Sequence, residues 1–429
     1  MSRILQKFLT NLIRYGDLEI ETASGVKYRV GDGTGPSVGL LIADARSERR
    51  LIWDPELAFG ELYMDGLLTV TRGSIYDALM ISARNITLPT SRWVGLLQRV
   101  RLSLRRWRQR NIGERARQNV AHHYDLDGRI YALFLDADQQ YSCAYFERPE
   151  ASLEDAQLAK KRHIAAKLLI QPGQSVLDIG CGWGGLALYL AKHCDANVTG
   201  VTLSREQLAV AQNRARESGL SSSVTFRLQD YHEVPEIFDR IVSVGMFEHV
   251  GLGYFEAFFR KLANALNNDG VALLHTIGNT GEPFPTNPWL DKYIFPGGYV
   301  PSMSEILASI ERVGLKVTDI EILRLHYAET LKAWRERFMA RRDAAMALYD
   351  ERFCRMWEFY LAFSEAGFRH GLIGVFQIQL AKTVDAVPIT RDYIFESEAK
   401  LRARDSGITN MRIADITPGS EQSGAGSRS

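Results

Sequence analysis

Residues 176–185 read VLDIGCGWGG, an apolar run that ends in Asp178 and is followed by glycines at 180, 182, 184 and 185. Bare backbone at a strand-to-helix turn lets a ligand approach closely. In the dinucleotide fingerprint GxGxxG, such a turn sets a pyrophosphate on the helix N-terminus. Here the spacing is DxGxGxG. A carboxylate at the ligand-facing strand end repels pyrophosphate and suits a ligand with an ammonium and a sulfonium, which points to S-adenosylmethionine rather than a nicotinamide dinucleotide. Asp178, Gly180, Gly182 and Gly184 are the expected contacts. The next strand, NVTGVTL, has no acid at its end to hold a ribose, so Thr202, Leu203 and either Gln207 or Glu206 must do so. A third strand ends in Gln229-Asp230-Tyr231, which places Asp230 and Tyr231 for an adenine.

These residues need a scaffold. The runs SVLDIG, NVTGVTL, VTFRLQD, FDRIVSVGM and VALLHTIG alternate with helical segments, which predicts a parallel sheet wound by helices. The fold class is therefore α/β, Rossmann-like, over a catalytic domain at 119–400. Residues 1–92 read as a smaller mixed α+β domain, with short strands punctuated by glycine turns and then helices. Between them, 93–118 is a basic linker helix, with eight arginines and one acid from Arg99 to Arg117. It is either a solvated linker or an amphipathic helix resting on anionic lipid, with Trp93 and Trp107 at the edge of its apolar stripe. The stretch GEPFPTNPWLDKYIFPGGYVPS, 281–302, is poorly suited to regular structure and reads as a lid or portal, or else as a packed surface loop. The tail 417–429 is low in apolar residues and is expected to be disordered.

Composition limits the alternatives. Hydrophobic content of 46% with 24% charged residues describes a soluble globular protein, and a net charge of +1 offers nucleic acid no global attraction. Four cysteines without a CxxC pair argue against a disulfide framework and against a metal site. No stretch is apolar for long enough to cross a bilayer, and the first residues lack a signal-peptide core. The expected location is the cytoplasm, with peripheral contact at the inner face of the cytoplasmic membrane.

Four motifs carry a specific resemblance: YSCAYF (141–146), GCGWGG (180–185), TLSREQ (202–207) and MFEHVG (246–251). Together they resemble the cyclopropane-fatty-acyl-phospholipid synthases and the related mycolic acid cyclopropane synthases, from about Asn119 to Tyr393. The resemblance implies a class I methyltransferase fold and S-adenosylmethionine as methyl donor. It implies an unsaturated phospholipid as substrate and adds Tyr141 and Ser142 to the cofactor contacts. The additional N-terminal domain is similar to that of the longer phospholipid-acting synthases and is expected to present lipid. A homodimer is the oligomer the resemblance allows.

The implied reaction carries a methyl to a cis double bond, leaves a carbocation, and closes a ring when a base takes a proton from the new methyl. An alkene is a weak nucleophile, so positioning must supply much of the rate, and water must be excluded. The resemblance implies that the base is a bound bicarbonate, held by Cys143, Glu248 with neighbouring His249, His275, the backbone of Ile277, and Tyr327. Histidine, tyrosine and a backbone N–H can donate to this anion, and Glu248 can accept from its hydroxyl. Singly, each has an ordinary structural reading: Cys143 as a small buried apolar residue, His275 as a core histidine, Glu248 as a helix N-terminal acid. A dry chamber would draw on Tyr141, Tyr145, Phe146, Phe247, Tyr254, Phe255, Tyr299 and Tyr327, whose ring faces can stabilise a cation. One departure lies in MWEFYLAFSEAGFRHG, where many relatives carry a cysteine and this chain has Ser364, with Cys354 upstream. The implied mechanism needs no covalent intermediate, so activity is expected. The alternatives are a fatty acyl methyltransferase with a methyl-branched or methylene product, a small-molecule amine methyltransferase, and a non-catalytic lipid-binding protein.

Overall fold

The computed structural model of the chain describes residues 2–86 and 128–406. The arginine-rich segment 93–118, with Trp93 and Trp107, and the tail 417–429 lie outside the described residues. The N-terminal unit is built on strands β1 (Asp17–Glu21), β2 (Lys27–Val30), β3 (Ser37–Ile42) and β4 (Leu68–Arg72), in the spatial order β2-β1-β3-β4. β1 and β3 are parallel and the other pairs antiparallel. β2 exposes Lys27 and Arg29 and buries Tyr28 and Val30, the two-residue period of a sheet with one wet face. Two of its helices start on side-chain caps. Asp44 accepts from Ser47 N–H at 2.7 Å, and Ser74 with Asp77 forms a capping box.

The second sheet comprises β5 (Ser175–Ile179), β6 (Asn197–Thr202), β7 (Val224–Leu228), β8 (Phe238–Val244), β9 (Leu266–Asn279), β10 (Lys316–Leu323) and β11 (Ile373–Ala381). Its order is β10-β11-β9-β8-β5-β6-β7. Where alternation predicts a parallel sheet, β11 runs antiparallel to both its neighbours. IGVFQIQLA is buried at every position but the first, which marks a central strand and says nothing of its direction. The closing helix, Asp392–Asp405, runs past residue 400, and Asp405 accepts from Arg162 at 2.5 Å and from Tyr189 Oη at 3.0 Å.

One apolar cluster runs without interruption from Leu5 in the N-terminal unit to Val375 on β11. Its hinge point is Phe359 on the helix Glu351–Arg369, met by Phe59 at 5.8 Å, Tyr63 at 6.1 Å and Trp289 at 4.6 Å between ring centroids. Beside it Tyr63 Oη donates to Glu358 at 2.8 Å. Trp289 belongs to the proline-rich stretch 281–302, which is irregular as expected but for one short helix. Asn287 caps a short helix, Pro288–Tyr293, with Pro at its first position. This helix docks on the N-terminal helix Pro55–Met64: Trp289 Nε1 donates to Met64 Sδ at 3.1 Å, and Lys292 and Tyr293 donate to Glu61 at 2.6 and 2.8 Å. Gly60 makes room, since a Cβ there would lie 2.5 Å from the indole.

Among the described residues no helix is long and apolar enough to cross a membrane. Trp289 is 1% exposed. Trp289→Ala should cost about 3–5 kcal/mol by the transfer and cavity terms of a large core truncation. Denaturant unfolding followed by far-UV circular dichroism measures it; a loss below 1 kcal/mol would show that the two units do not depend on this contact.

Candidate active site

At the C-terminal ends of β5, β6 and β8 lies a cavity of about 370 Å³, the crevice in which α/β sheets commonly bind ligands. Ten of the eleven expected cofactor contacts line it: Tyr141, Ser142, Asp178, Gly180, Gly182, Thr202, Leu203, Gln207, Asp230 and Tyr231. Gly184 does not. It sits at φ +83° where the helix Gly185–Cys194 begins, and a Cβ there would fall 2.6 Å from Phe226 Cζ. Its glycine serves backbone conformation and helix-to-sheet packing.

Asp178 is held mid-sheet, in register with Gly200 on one side and Val242 on the other. Burial pushes its carboxyl up to about 7, and Oδ2 has no hydrogen-bond partner among the described residues. After it Gly180 adopts φ +79°, with Met246 within 2.9 Å of a hypothetical Cβ. A buried carboxylate oxygen without a partner at the lip of a cavity fits an ammonium, so the residues present suit S-adenosylmethionine. That group, when bound, supplies an electrophilic methyl. Further round the cavity Thr202 Oγ1 donates to Gln207 Oε1 at 3.2 Å, while Ser204 caps the next helix by accepting from Gln207 N–H at 3.3 Å. Of the two residues considered for the ribose, Gln207 faces the cavity. Glu206 instead accepts from Gly128 N–H at 3.1 Å. Asp230 accepts from His232 N–H at 3.0 Å, and the Tyr231 and His232 rings lie 3.9 Å apart.

Sequence reasoning missed the residues that hold YSCAYF. Asp136 accepts from the N–H groups of Asp138 at 3.1 Å and Gln140 at 2.8 Å, turning the chain where it has no regular structure. The helix Leu153–Leu168 then grips the turn. Gln157 Nε2 donates to Ser142 O at 3.0 Å, and buried Lys160 donates to Gln140 Oε1 at 2.6 Å and Ser142 Oγ at 2.8 Å. Lys161 reaches Asp138 at 2.6 Å. Burial draws Lys160 down to about 8 against the field of Asp136. The signal was present in AQLAKKR, where Gln157, Lys160 and Lys161 share one face at helical spacing.

None of the expected catalytic residues lines the 370 Å³ cavity, but several adjoin residues that do: Cys143 follows Ser142, Glu248 precedes His249, and His275 is in register with Val244. β9 outruns β8, whose last register pair is Val244 with His275. The free edge beyond is closed by Glu248, whose Oε1 accepts from Ile277 N–H at 2.6 Å. The Ile277 N–H expected to meet the anion is therefore engaged by Glu248. Glu248 Oε2 and His275 Nε2 are both buried with no hydrogen-bond partner among the described residues. Burial lifts Glu248 above the usual carboxylate range and brings His275 down to about 3, leaving a neutral imidazole. His249 does line the cavity, and burial lowers it to about 4. Cys143 is buried beside Ser142, positioned by Ala144 N–H donating to Thr330 Oγ1 at 3.0 Å, and burial raises its thiol, so it is not a thiolate. Lys160 is an electrostatic neighbour of Asp178, Cys143 and His275 alike.

The aromatic candidates divide. Tyr141 and Tyr254 line the cavity. Tyr141 stacks on Trp334 at 5.2 Å and bonds Tyr360 Oη at 2.9 Å, and Trp334 meets Tyr327 edge-on at 5.8 Å. Phe247, Phe255 and Tyr299 instead belong to the core beneath β8 and β9 with Phe258 and Phe259. Tyr145 is stacked between His163 at 4.1 Å and His326 at 5.0 Å, and Phe146 lies against His326. Trp183 of the glycine loop also lines the cavity, while Trp334, Trp357 and Tyr360, which sequence reasoning did not single out, pack behind Tyr141 as buried core. Ser364 is half-buried on the helix Glu351–Arg369 and lines no part of the cavity, and all four cysteines are free and buried.

The family profile described as Mycolic acid cyclopropane synthetase matches residues 112–378. A probable fatty acid methyltransferase of Pseudomonas putida is 41% identical over 272 residues, 61% of this chain and 68% of that protein. The cyclopropane-fatty-acyl-phospholipid synthase of Escherichia coli K12 is 39% identical over 338 residues, 79% of this chain and 86% of that one. A crystal structure of the mycolic acid cyclopropane synthase CmaA1 complexed with SAH and CTAB superposes with a TM-score of 0.59 at 37% identity, covering 62% of this chain and 97% of that chain. With a class I methyltransferase sheet, an orphaned carboxylate at the glycine loop and these relatives, the chain belongs to the mycolic acid cyclopropane synthetase family of S-adenosylmethionine-dependent methyltransferases.

Proposed function

We propose that the chain adds the methyl carbon of S-adenosylmethionine across the cis double bond of an unsaturated phospholipid acyl chain, forming a cyclopropane ring, with bicarbonate as the base. The observation that carries this reading is the pair of buried polar atoms, Glu248 Oε2 and His275 Nε2, that have no hydrogen-bond partner among the described residues. Bicarbonate offers acceptor oxygens and one hydroxyl. A neutral histidine and the Tyr327 hydroxyl suit the former, and Glu248 suits the latter. Asp178 holds the cofactor's ammonium. The faces of Tyr141 and Tyr254, which line the cavity, stabilise the passing cation without attacking it. Phospholipid as substrate draws support from the Escherichia coli relative, whose alignment spans 79% of this chain. The N-terminal unit and the arginine-rich segment are read as the peripheral seat on an anionic membrane surface.

A second reading is favoured by the 41% identity to a probable fatty acid methyltransferase. The same cation then loses its proton elsewhere and ends as a methyl-branched or methylene product.

The decisive assay combines purified protein, S-adenosylmethionine and vesicles of mono-unsaturated phospholipid, with and without bicarbonate, and identifies acyl products by mass spectrometry and proton NMR. Bicarbonate-dependent cyclopropane signals are expected. Branched or methylene products would replace the first reading by the second, and no lipid product would overturn both. Glu248→Gln should lower kcat by about 10²–10³-fold, the scale for one lost polar contact to a reacting group, while the dissociation constant for S-adenosylmethionine stays unchanged.

Asp178 gives a pH signature. Its carboxyl is raised to about 7 in the free protein, and only the ionised form attracts an ammonium. Below that pH the group must release a proton before it can pair, so binding should tighten as pH rises from 5.5 to about 7, by up to tenfold per unit, and then level off. An exposed carboxylate would be ionised throughout this window and give a flat profile. Calorimetric titration with S-adenosylmethionine reads it out; Asp178→Asn should bind more weakly and remove the slope.

A further inference from the structure

We infer that Lys167 and Gln377 are positioning residues that lock the His275 imidazole in the tautomer protonated on Nε2, so that it faces the reaction site as a hydrogen-bond donor. The inference rests on the reading above that His275 touches the base. It comes from one row of the sheet. Glu321 on β10 is in register with Gln377 on β11, which is in register with His275 on β9. Lys167, fully buried on the helix Leu153–Leu168, covers that row.

The polarity of the row follows from Lys167. Lys167 Nζ pairs with Glu321, lies 3.7 Å from Asp319, and donates to Gln377 Oε1 at 2.9 Å. An ammonium has donors only, so the Gln377 amide must turn its oxygen to Lys167. Its Nε2, which also has donors only, then faces His275 Nδ1 at 3.2 Å. Nδ1 must accept, and in a neutral ring the proton resides on Nε2. Turning the amide over would set two donors face to face and remove an acceptor from a buried ammonium, with Gln377 itself 0% exposed. The ring's charged surroundings agree: burial, Lys160, Lys167 and His163 all disfavour an imidazolium, opposed by Glu321. Glu321 is in turn steadied by His163, whose Nε2 lies 2.7 Å away. His275 Nε2 is buried without a hydrogen-bond partner among the described residues, so the row delivers an N–H rather than a lone pair to the anion's place.

The test uses full-length protein labelled with ¹⁵N-histidine, whose ring-nitrogen shifts report which nitrogen is protonated; the His275 signals are assigned by their loss in His275→Asn. The wild-type ring is expected to be neutral and protonated on Nε2 from pH 6 to 8, and Lys167→Arg, which keeps a donor-only partner, should preserve this. Gln377→Glu presents an acceptor to Nδ1 and should move the proton there, lowering kcat for lipid methylation by about 10²-fold at unchanged cofactor affinity. Lys167→Met frees the amide to turn and should populate both tautomers. A wild-type ring protonated on Nδ1, or a Gln377→Glu ring still protonated on Nε2, would overturn the inference. If Gln377→Glu moves the proton while methylation is untouched, the lock stands and the role given to His275 in the reaction falls.

Discussion

An ammonium taken out of water must find acceptors, and Lys160 finds them in a stretch without regular structure. Its bonds to Gln140 and Ser142 tie the 138–143 turn to a helix that packs on the main sheet. That turn carries Tyr141 and Ser142 to the cavity and Cys143 beside it. The same charge lies close enough to lower Asp178 and His275 together. A single buried cation thus fixes the geometry of one wall and moderates the electrostatics of both halves of the site.

The ionisable groups around it share one condition: burial makes the neutral form the cheaper one. His249 and His275 are held uncharged, Glu248 and Asp178 are pushed toward protonation, and the Cys143 thiol is kept intact. Such surroundings suit a reaction in which the only strong charges arrive with the reactants.

Five strands of the main sheet, β5 to β9, could be read from sequence because they are apolar runs set among glycine turns. The direction of β11 could not, because burial on both faces erases the pattern that distinguishes orientations. The glycine loop was legible as ligand backbone at 180 and 182, where the cavity lies. At 184 the same residue type serves the close packing of Phe226, a contact set 42 positions downstream. Cys143, Glu248 and His275 were reached through a resemblance, and their neighbours Lys160, Gln377 and Lys167 were not, since a buried polar residue inside an amphipathic helix or an apolar strand looks like a solvated one until its partners are known. The aromatic wall shows the same limit. Phe247 and Phe255 lie in or next to the motif and fill the core, whereas Trp334 and Tyr360 lie far away in sequence and support Tyr141, which lines the cavity.

The docking of Trp289 between Met64 and Phe359 has a consequence for the cavity. The cluster from Leu5 to Val375 makes the N-terminal unit part of the bed on which the helix Glu351–Arg369 lies, and that helix carries Tyr360, the hydrogen-bond partner of Tyr141. The main sheet meanwhile keeps interiors of its own. An insertion or truncation in the first eighty residues therefore acts on Tyr141 through one helix, at a distance in sequence but not in space.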